Sequence, residues 1–148
     1  MKFIEIFWEI FSWICAILRW LTRRKPDRGI FLIVEDFQPD AEFLQYKLKK
    51  LGYDAEIATS GEVAQGLVKH TFYSVCFVDM RLPGMPGEAV VRLLSKETPN
   101  TSVIIVCGEP SDLEKLPNDS AVIFVRKPPT LEALDNLLKS LKIRNHSK

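Results

Sequence analysis

From residue 30 onward the chain is punctuated by short apolar runs, and each run ends in a change of chemistry. Ile30-Phe-Leu-Ile-Val34 runs into Glu35-Asp36, and Val75-Cys-Phe-Val78 into Asp79. Ser102-Val-Ile-Ile-Val106 runs into Cys107-Gly108, and Ala121-Val-Ile-Phe-Val125 into Arg126-Lys127-Pro128. Runs of this length bounded by turn residues read as strands buried on both faces. Between them the period becomes helical. Residues 39–51 place Ala41, Leu44, Leu48 and Leu51 on one face, and Gly52 closes that helix. A short, weakly patterned edge strand follows at 55–58. Residues 61–68 predict a second helix with Val63, Ala64 and Leu67 inward, and 88–94 a third with Val90, Val91 and Leu94 inward. Pro110 and Pro117 leave room for little more than a short helix at 111–116. Thr130 is placed to N-cap a last helix carrying Leu131, Leu134, Leu137, Leu138 and Leu141. Strands alternating with helices predict an α/β fold, a doubly wound five-stranded parallel sheet.

Residues 3–21 follow a different pattern. As a helix they would be about 28 Å long, close to the hydrocarbon thickness of a bilayer. Glu5, Glu9, Ser12, Ala16, Arg19 and Arg23 fall in one narrow stripe, and Ile, Phe, Trp and Leu cover the rest. Three readings stand: a membrane-spanning anchor, a helix lying in the membrane interface, and a soluble helix paired with a partner. For an anchor, Arg23-Arg24-Lys25 sets the stop and puts the following domain in the cytoplasm, tethered to the inner face of the membrane. The charges follow the apolar run rather than precede it, which argues against a cleaved signal peptide. The expected division is therefore 1–28, a hydrophobic helix with a basic linker, and 29–148, the α/β domain.

Composition narrows the classes. A chain of 148 residues can bury about 70% of its unfolded surface in one core. Its 20 basic and 19 acidic residues leave a formal charge of +1, so no nucleic-acid footprint is expected. Cys15, Cys76 and Cys107 have no metal-ligand spacing and read as reduced thiols.

If the strands are parallel, their carboxyl ends converge on one edge, where ligands bind in open α/β sheets. That edge would carry Glu35, Asp36 and Asp79 together with Cys107 and Lys127. Asp79 by itself is equally an acid opening a turn. Grouped carboxylates, however, repel one another unless a cation sits among them. Hard oxygen donors in this number suit Mg²⁺, and Lys127 supplies a point charge for a phosphate oxygen. The set suits metal-assisted phosphoryl transfer onto Asp79.

On these residues the chain resembles the receiver domain of two-component response regulators. The acid pair Glu35-Asp36, Asp79 within Val-Asp-Met-Arg-Leu-Pro-Gly-Met-Pro-Gly, and Lys127-Pro128 carry the resemblance. Gly52-Tyr53 and Ala58-Thr-Ser-Gly61 also fit it, over about residues 29–143. The resemblance implies a flavodoxin-like sheet of order 2-1-3-4-5. It implies that Asp79 is the phospho-acceptor from a phosphohistidine, and that Lys127 pairs with the phosphate. Asp36 and Asp79 would bind Mg²⁺ through their carboxylates, Arg81 through its backbone carbonyl, and Glu35 through a water. Partners would be a histidine kinase or phosphotransfer protein and a downstream protein, with no enzymatic activity beyond self-catalysed phosphoryl transfer and dephosphorylation. Lys127-Pro128 is a candidate cis bond.

Two switch positions depart from this frame or leave it open. Cys107 stands where the family has Thr or Ser, and a thiol is a weak donor. It reads as a small buried hydrophobe, which puts the coupling from phosphate to the far face in doubt. Phe124 occupies the family's rotating aromatic position and is equally an ordinary core Phe. Only Lys-Ile-Arg-Asn-His-Ser-Lys follows Leu141, so no output domain is expected. The alternative function is a receiver-like interaction module that binds a partner without a phosphate switch. A hydrolase on a related fold would want an acid two residues past the nucleophile, where Arg81 stands.

Overall fold

A computed structural model of the chain describes residues 30–97, 103–115 and 122–142, together with Ile14. The expected N-terminal helix and basic linker, Ile14 apart, lie outside these residues, and with them the choice among the membrane readings. Among the described residues no helix is long and apolar enough to cross a membrane.

The five strands are β1 (Phe31–Val34), β2 (Ala55–Ala58), β3 (Val75–Asp79), β4 (Val103–Gly108) and β5 (Val122–Arg126). They form one sheet of order β2-β1-β3-β4-β5, and every adjacent pair is parallel. The expected strands shift by a residue or two at their ends. The shift that matters is at β3, which takes in Asp79 as its last residue. The acid is thus fixed by the strand's own ladder rather than carried on the loop.

Within residues 30–142, α1 (Gln38–Lys50), α2 (Gly61–Val68) and α3 (Gly87–Glu97) each link two strands, and α4 (Leu131–Ser140) follows β5. Their caps follow from sequence. Ser60 accepts from Val63 N–H at the start of α2, and Thr130 from Ala133 N–H at the start of α4. At the end of α1, Tyr53 N–H bonds the Leu48 carbonyl and Gly52 N–H the Lys49 carbonyl, both at 3.0 Å. This is a Schellman close, and it needs the left-handed backbone that Gly52 supplies at φ 86°.

The alternation of side chains along β1 and β3 splits the core into two layers. Phe31, Ile33, Val75 and Phe77 pack with Ala41 and Leu48 of α1 and Leu134 and Leu138 of α4. Leu32, Val34, Cys76 and Val78 pack with Ala64 and Val68 of α2 and Val90, Val91 and Leu94 of α3. Each large aliphatic or aromatic side chain so buried contributes about 1.5–3 kcal/mol. A strand buried on both faces explains why these runs do not alternate with polar residues. One inward assignment fails: Val63 is exposed, because Gly61, Ala64 and Val68 form the buried stripe of α2.

Between β4 and β5 the chain makes only a 3-10 helix, Pro110–Lys115, within the described residues. Pro110 starts it, as the contracted, proline-bearing sequence leads one to expect.

Gly87, at the start of α3, lies hard against the end of β3. A Cβ there would fall 2.5 Å from the Asp79 carbonyl oxygen and 2.5 Å from Met80 Cα. Both are backbone atoms that cannot rotate away. Gly87→Ala is therefore expected to destabilise the fold by about 1–3 kcal/mol or more, read from the urea midpoint. An unchanged midpoint would show that α3 is free to slide.

Candidate functional site

Parallel pairing brings the carboxyl ends of all five strands to one edge of the sheet. The strand order reverses there between β1 and β3, and the acids sit at that point. Glu35 follows β1 directly, Asp36 comes next, and Asp79 ends β3. Glu35 and Asp79 are each only 6% exposed, whereas Asp36 is open to solvent. Each of the three offers an oxygen, and these oxygens lie within 4.8 Å of one another. At an effective dielectric of about 20, two like charges at such a distance cost on the order of 4 kcal/mol. The arrangement therefore needs positive charge.

Lys127 brings some of it. The residue follows β5, and its Nζ lies 2.6 Å from Glu35 Oε2, 3.0 Å from Asp79 Oδ1 and 4.0 Å from Asp40 Oδ2. Its backbone N–H bonds the Gly108 carbonyl at 3.0 Å, and the Lys127-Pro128 peptide is cis, as expected. Burial would lower the Lys127 pKa, but the two carboxylates outweigh it, so the net direction is up and the ammonium stays charged.

Glu35 does not show the mirror image of this effect. Pairing alone would lower its pKa, yet burial pushes it up, and the neighbouring Asp79 charge adds to the rise; the bond from Lys127 opposes both without cancelling them. One ammonium thus leaves the cluster short of positive charge. A divalent cation held by oxygen donors would supply the remainder, so the donor set fits Mg²⁺. Both Glu35 oxygens are already engaged, Oε1 by Phe37 N–H at 3.1 Å and Oε2 by Lys127. Asp36 and Asp79 are the acids better placed for direct ligation.

The remaining expected residues are distributed as follows. Arg81 lies two residues beyond β3 with its side chain exposed. Cys107 stands in register with Asp79 on one side and Val125 on the other. Phe124 is half-buried against the layer that contains Met80, Val90 and Val91. Cys76, rather than a reactive thiol, is a sealed core residue, its pKa pushed up to about 12 by burial.

With this geometry in place, comparison with known proteins is direct. Residues 31–139 match the family model for the response regulator receiver domain. The chain belongs to that family. The receiver is 33% identical over 90 residues to an uncharacterized transcriptional regulatory protein, YkoG, of Bacillus subtilis (strain 168). That alignment covers 61% of this chain and 40% of the Bacillus protein, so the chain spans well under half of that relative. Among solved structures it is similar to the signal receiver domain of a signal transduction histidine kinase from Syntrophus aciditrophicus, with TM-score 0.67 and 28% identity over 76% of this chain and 89% of that one. The fold is shared with Vibrio cholerae chemotaxis protein CheY4, with TM-score 0.68 and 21% identity over 77% and 98% of the two chains. It is shared as well with the receiver domain of the Pseudomonas aeruginosa sensor histidine kinase PA1611, which holds magnesium in its active-site cleft. There the TM-score is 0.65 and the identity 23%, over 77% and 97% of the chains.

Sequence reasoning missed Asp112. It is 3% exposed, accepts from Glu109 N–H at 3.0 Å and pairs with Lys115 at 3.1 Å. An acid two residues past a helix-starting proline, reaching back to the N–H before it, makes one half of a capping box, and the Pro110-Ser111-Asp112 spelling could have pointed to it. The bond from Glu109 N–H holds its pKa below the ordinary 3.8; burial opposes that, and Lys115 and then Arg81 add to it. A lowered pKa gives stability that is present above 3.8 and lost as pH falls through the folded value beneath it. Asp112→Ala should cost about 1–3 kcal/mol at neutral pH and flatten the fall in stability below about pH 4. Urea midpoints measured across pH 2–7 check this; parallel curves for the two proteins would refute it.

Proposed function

We propose that this receiver is a phospho-acceptor of a two-component system or phosphorelay, with Asp79 as the acceptor. The supporting observation is the bridging of Glu35 and Asp79 by Lys127 Nζ, at 2.6 and 3.0 Å, beside a third carboxylate. An Asp79 oxygen attacks the phosphorus of a phosphohistidine, the P–N bond breaks, and the imidazole leaves with a proton from solvent. Asp79 is fixed by the β3 ladder, so its oxygen is presented without loop reordering. Lys127 lies where a phosphoryl oxygen on Asp79 would meet its ammonium, exchanging the carboxylate bond for a charge-assisted bond to phosphate. Asp36 and Asp79 would hold Mg²⁺ together with the Arg81 carbonyl, and Glu35 would act through a water. When bound, the ion offsets the negative charge gathered on the phosphoryl oxygens.

The donor is a histidine kinase or phosphotransfer protein, and the signal passes by protein contact. In this reading 29–148 is the receiver unit and 1–28 a separate segment. The length, apolar breadth and basic flank of 3–21 support a membrane tether on sequence alone. The competing reading, an interaction module with no phosphate switch, draws on Cys107 standing beside Asp79 where a hydroxyl would be expected.

Acetyl phosphate with Mg²⁺ should add one phosphoryl mass to the chain, and Asp79→Asn should abolish the gain. Glu35→Gln should weaken Mg²⁺ binding about 10- to 100-fold by titration calorimetry, as loss of an outer-shell partner does. No mass gain in the unmodified chain would favour the module reading instead.

A further inference from the structure

Lys127 reaches the carboxylates from a loop with few means of holding itself. Pro128 and Pro129 follow it, and neither has an N–H to donate. The loop is fixed at its start by Lys127 N–H on Gly108, and at its end by Thr130 capping α4. Between these points Lys47, on α1, donates its Nζ to the Pro129 carbonyl at 2.6 Å, across 82 positions of sequence. The same ammonium lies 3.9 Å from the centre of the Phe43 ring. Lys47, Phe43, Pro128, Pro129 and Lys127 share the wall of one cavity of about 330 Å³, whose other end holds Glu35 and Asp79.

A surface lysine over an aromatic ring ordinarily keeps its head in water. Lys47 is instead half-buried, and its pKa is lowered by that burial. Its charge is spent on one carbonyl of the loop that carries Lys127. Asp40 lies seven residues earlier on the same face of α1, 4.0 Å from the Lys127 ammonium. Helix α1 therefore meets the loop twice, at the Lys127 head and at the Pro129 carbonyl.

We propose that Lys47 is a positioning residue for Lys127: by holding the Pro129 carbonyl against α1, it sets the distance of the Lys127 ammonium from Asp79. This rests on the reading of Asp79 as phospho-acceptor. Removing the donor leaves a loop fixed only at its two ends. The ammonium then samples positions off the phosphoryl oxygens, and displacement by an ångström is enough to slow a positioned reaction substantially.

Lys47→Met keeps the stem over Phe43 and removes the donor. Initial rates of Asp79 phosphorylation by acetyl phosphate at saturating Mg²⁺ would be measured for the unmodified chain, Lys47→Met, Lys127→Ala and the double variant. Lys47→Met is expected to be about tenfold slower, with Mg²⁺ affinity unchanged, and to slow Lys127→Ala no further. If Lys127→Ala is too slow to time, the side-chain ¹⁵N signal of the Lys127 ammonium decides. A shift in Lys47→Met supports the proposal, and an unmoved signal overturns it. Equal rates for Lys47→Met and the unmodified chain would overturn the inference alone. The same loss with and without Lys127 would show that Lys47 acts elsewhere. Absence of phosphorylation in the unmodified chain would remove the acceptor reading and this inference together.

Discussion

Two buried carboxylates held by one ammonium set the terms for the carboxyl edge of this sheet. Glu35 ends up beside Asp79 because β1 and β3 are neighbours in a parallel sheet, with Val34 in register with Val78. The core layers fix that neighbourhood, since sliding either strand by one residue would turn Phe31, Ile33 and Phe77 out of one layer and Leu32 and Val34 out of the other. Packing thus forces together charges that would separate in water. Lys127 makes the arrangement tolerable, while burial first and the Asp79 charge after it keep the Glu35 pKa raised. A fold that gathers excess negative charge at a strand end is suited to a divalent cation, which the oxygen donors already in place would hold.

Much of this was legible in the chain. The apolar runs gave the strands because strands buried on both faces tolerate few polar residues. Their terminal residues gave the site, since parallel strands must deliver their carboxyl ends to one edge. What stayed hidden was everything that depended on contact across the sequence. Lys47 reads as one of several lysines at the end of α1, and its bond to Pro129 appears only when the helix is laid beside the loop after β5. Asp40 is likewise indistinguishable from any acid in the first turn of a helix, a place where acids are common for their own electrostatic reasons. Val63 failed for a different cause. Period alone cannot choose between adjacent apolar positions, and the small residues Gly61 and Ala64 won the buried stripe because α2 packs closely on Met85 and Val90.

The stretch after β4 bears on how a change at Asp79 could travel. Asp112 lies close against Gly108, where an added Cβ would fall 2.9 Å from Asp112 Oδ2 and 3.3 Å from Met80 Cγ. Asp112 in turn holds Glu109 N–H, and Arg81, two residues beyond Asp79, adds to its electrostatic field. The loop next to Asp79 is therefore tied by an acid that is itself buried, and loosening the loop would mean exposing or protonating that acid. Cys107 stands in register with Asp79, and a thiol is a weaker hydrogen-bond donor than a hydroxyl. A loop tied in this way resists large movement on this side of the sheet.

On the opposite side the constraints are of another kind. The loop after β5 contains two prolines in succession, so it has a stiff backbone but few hydrogen bonds of its own. Its position is set by what neighbouring elements offer it: the Gly108 carbonyl from β4, the cap on α4, and Lys47 from α1. The ammonium that balances the acids is thus suspended between β4 and α1 rather than built into either. Any force that shifts α1 relative to the sheet acts on Lys127 directly, through Lys47 and through Asp40. Phe43 and Tyr46 of α1 are exposed, as is Phe37 at its N-cap. Helix α1 and the loop that carries Lys127 are thus joined at two points, the Pro129 carbonyl gripped by Lys47 and the Lys127 ammonium beside Asp40.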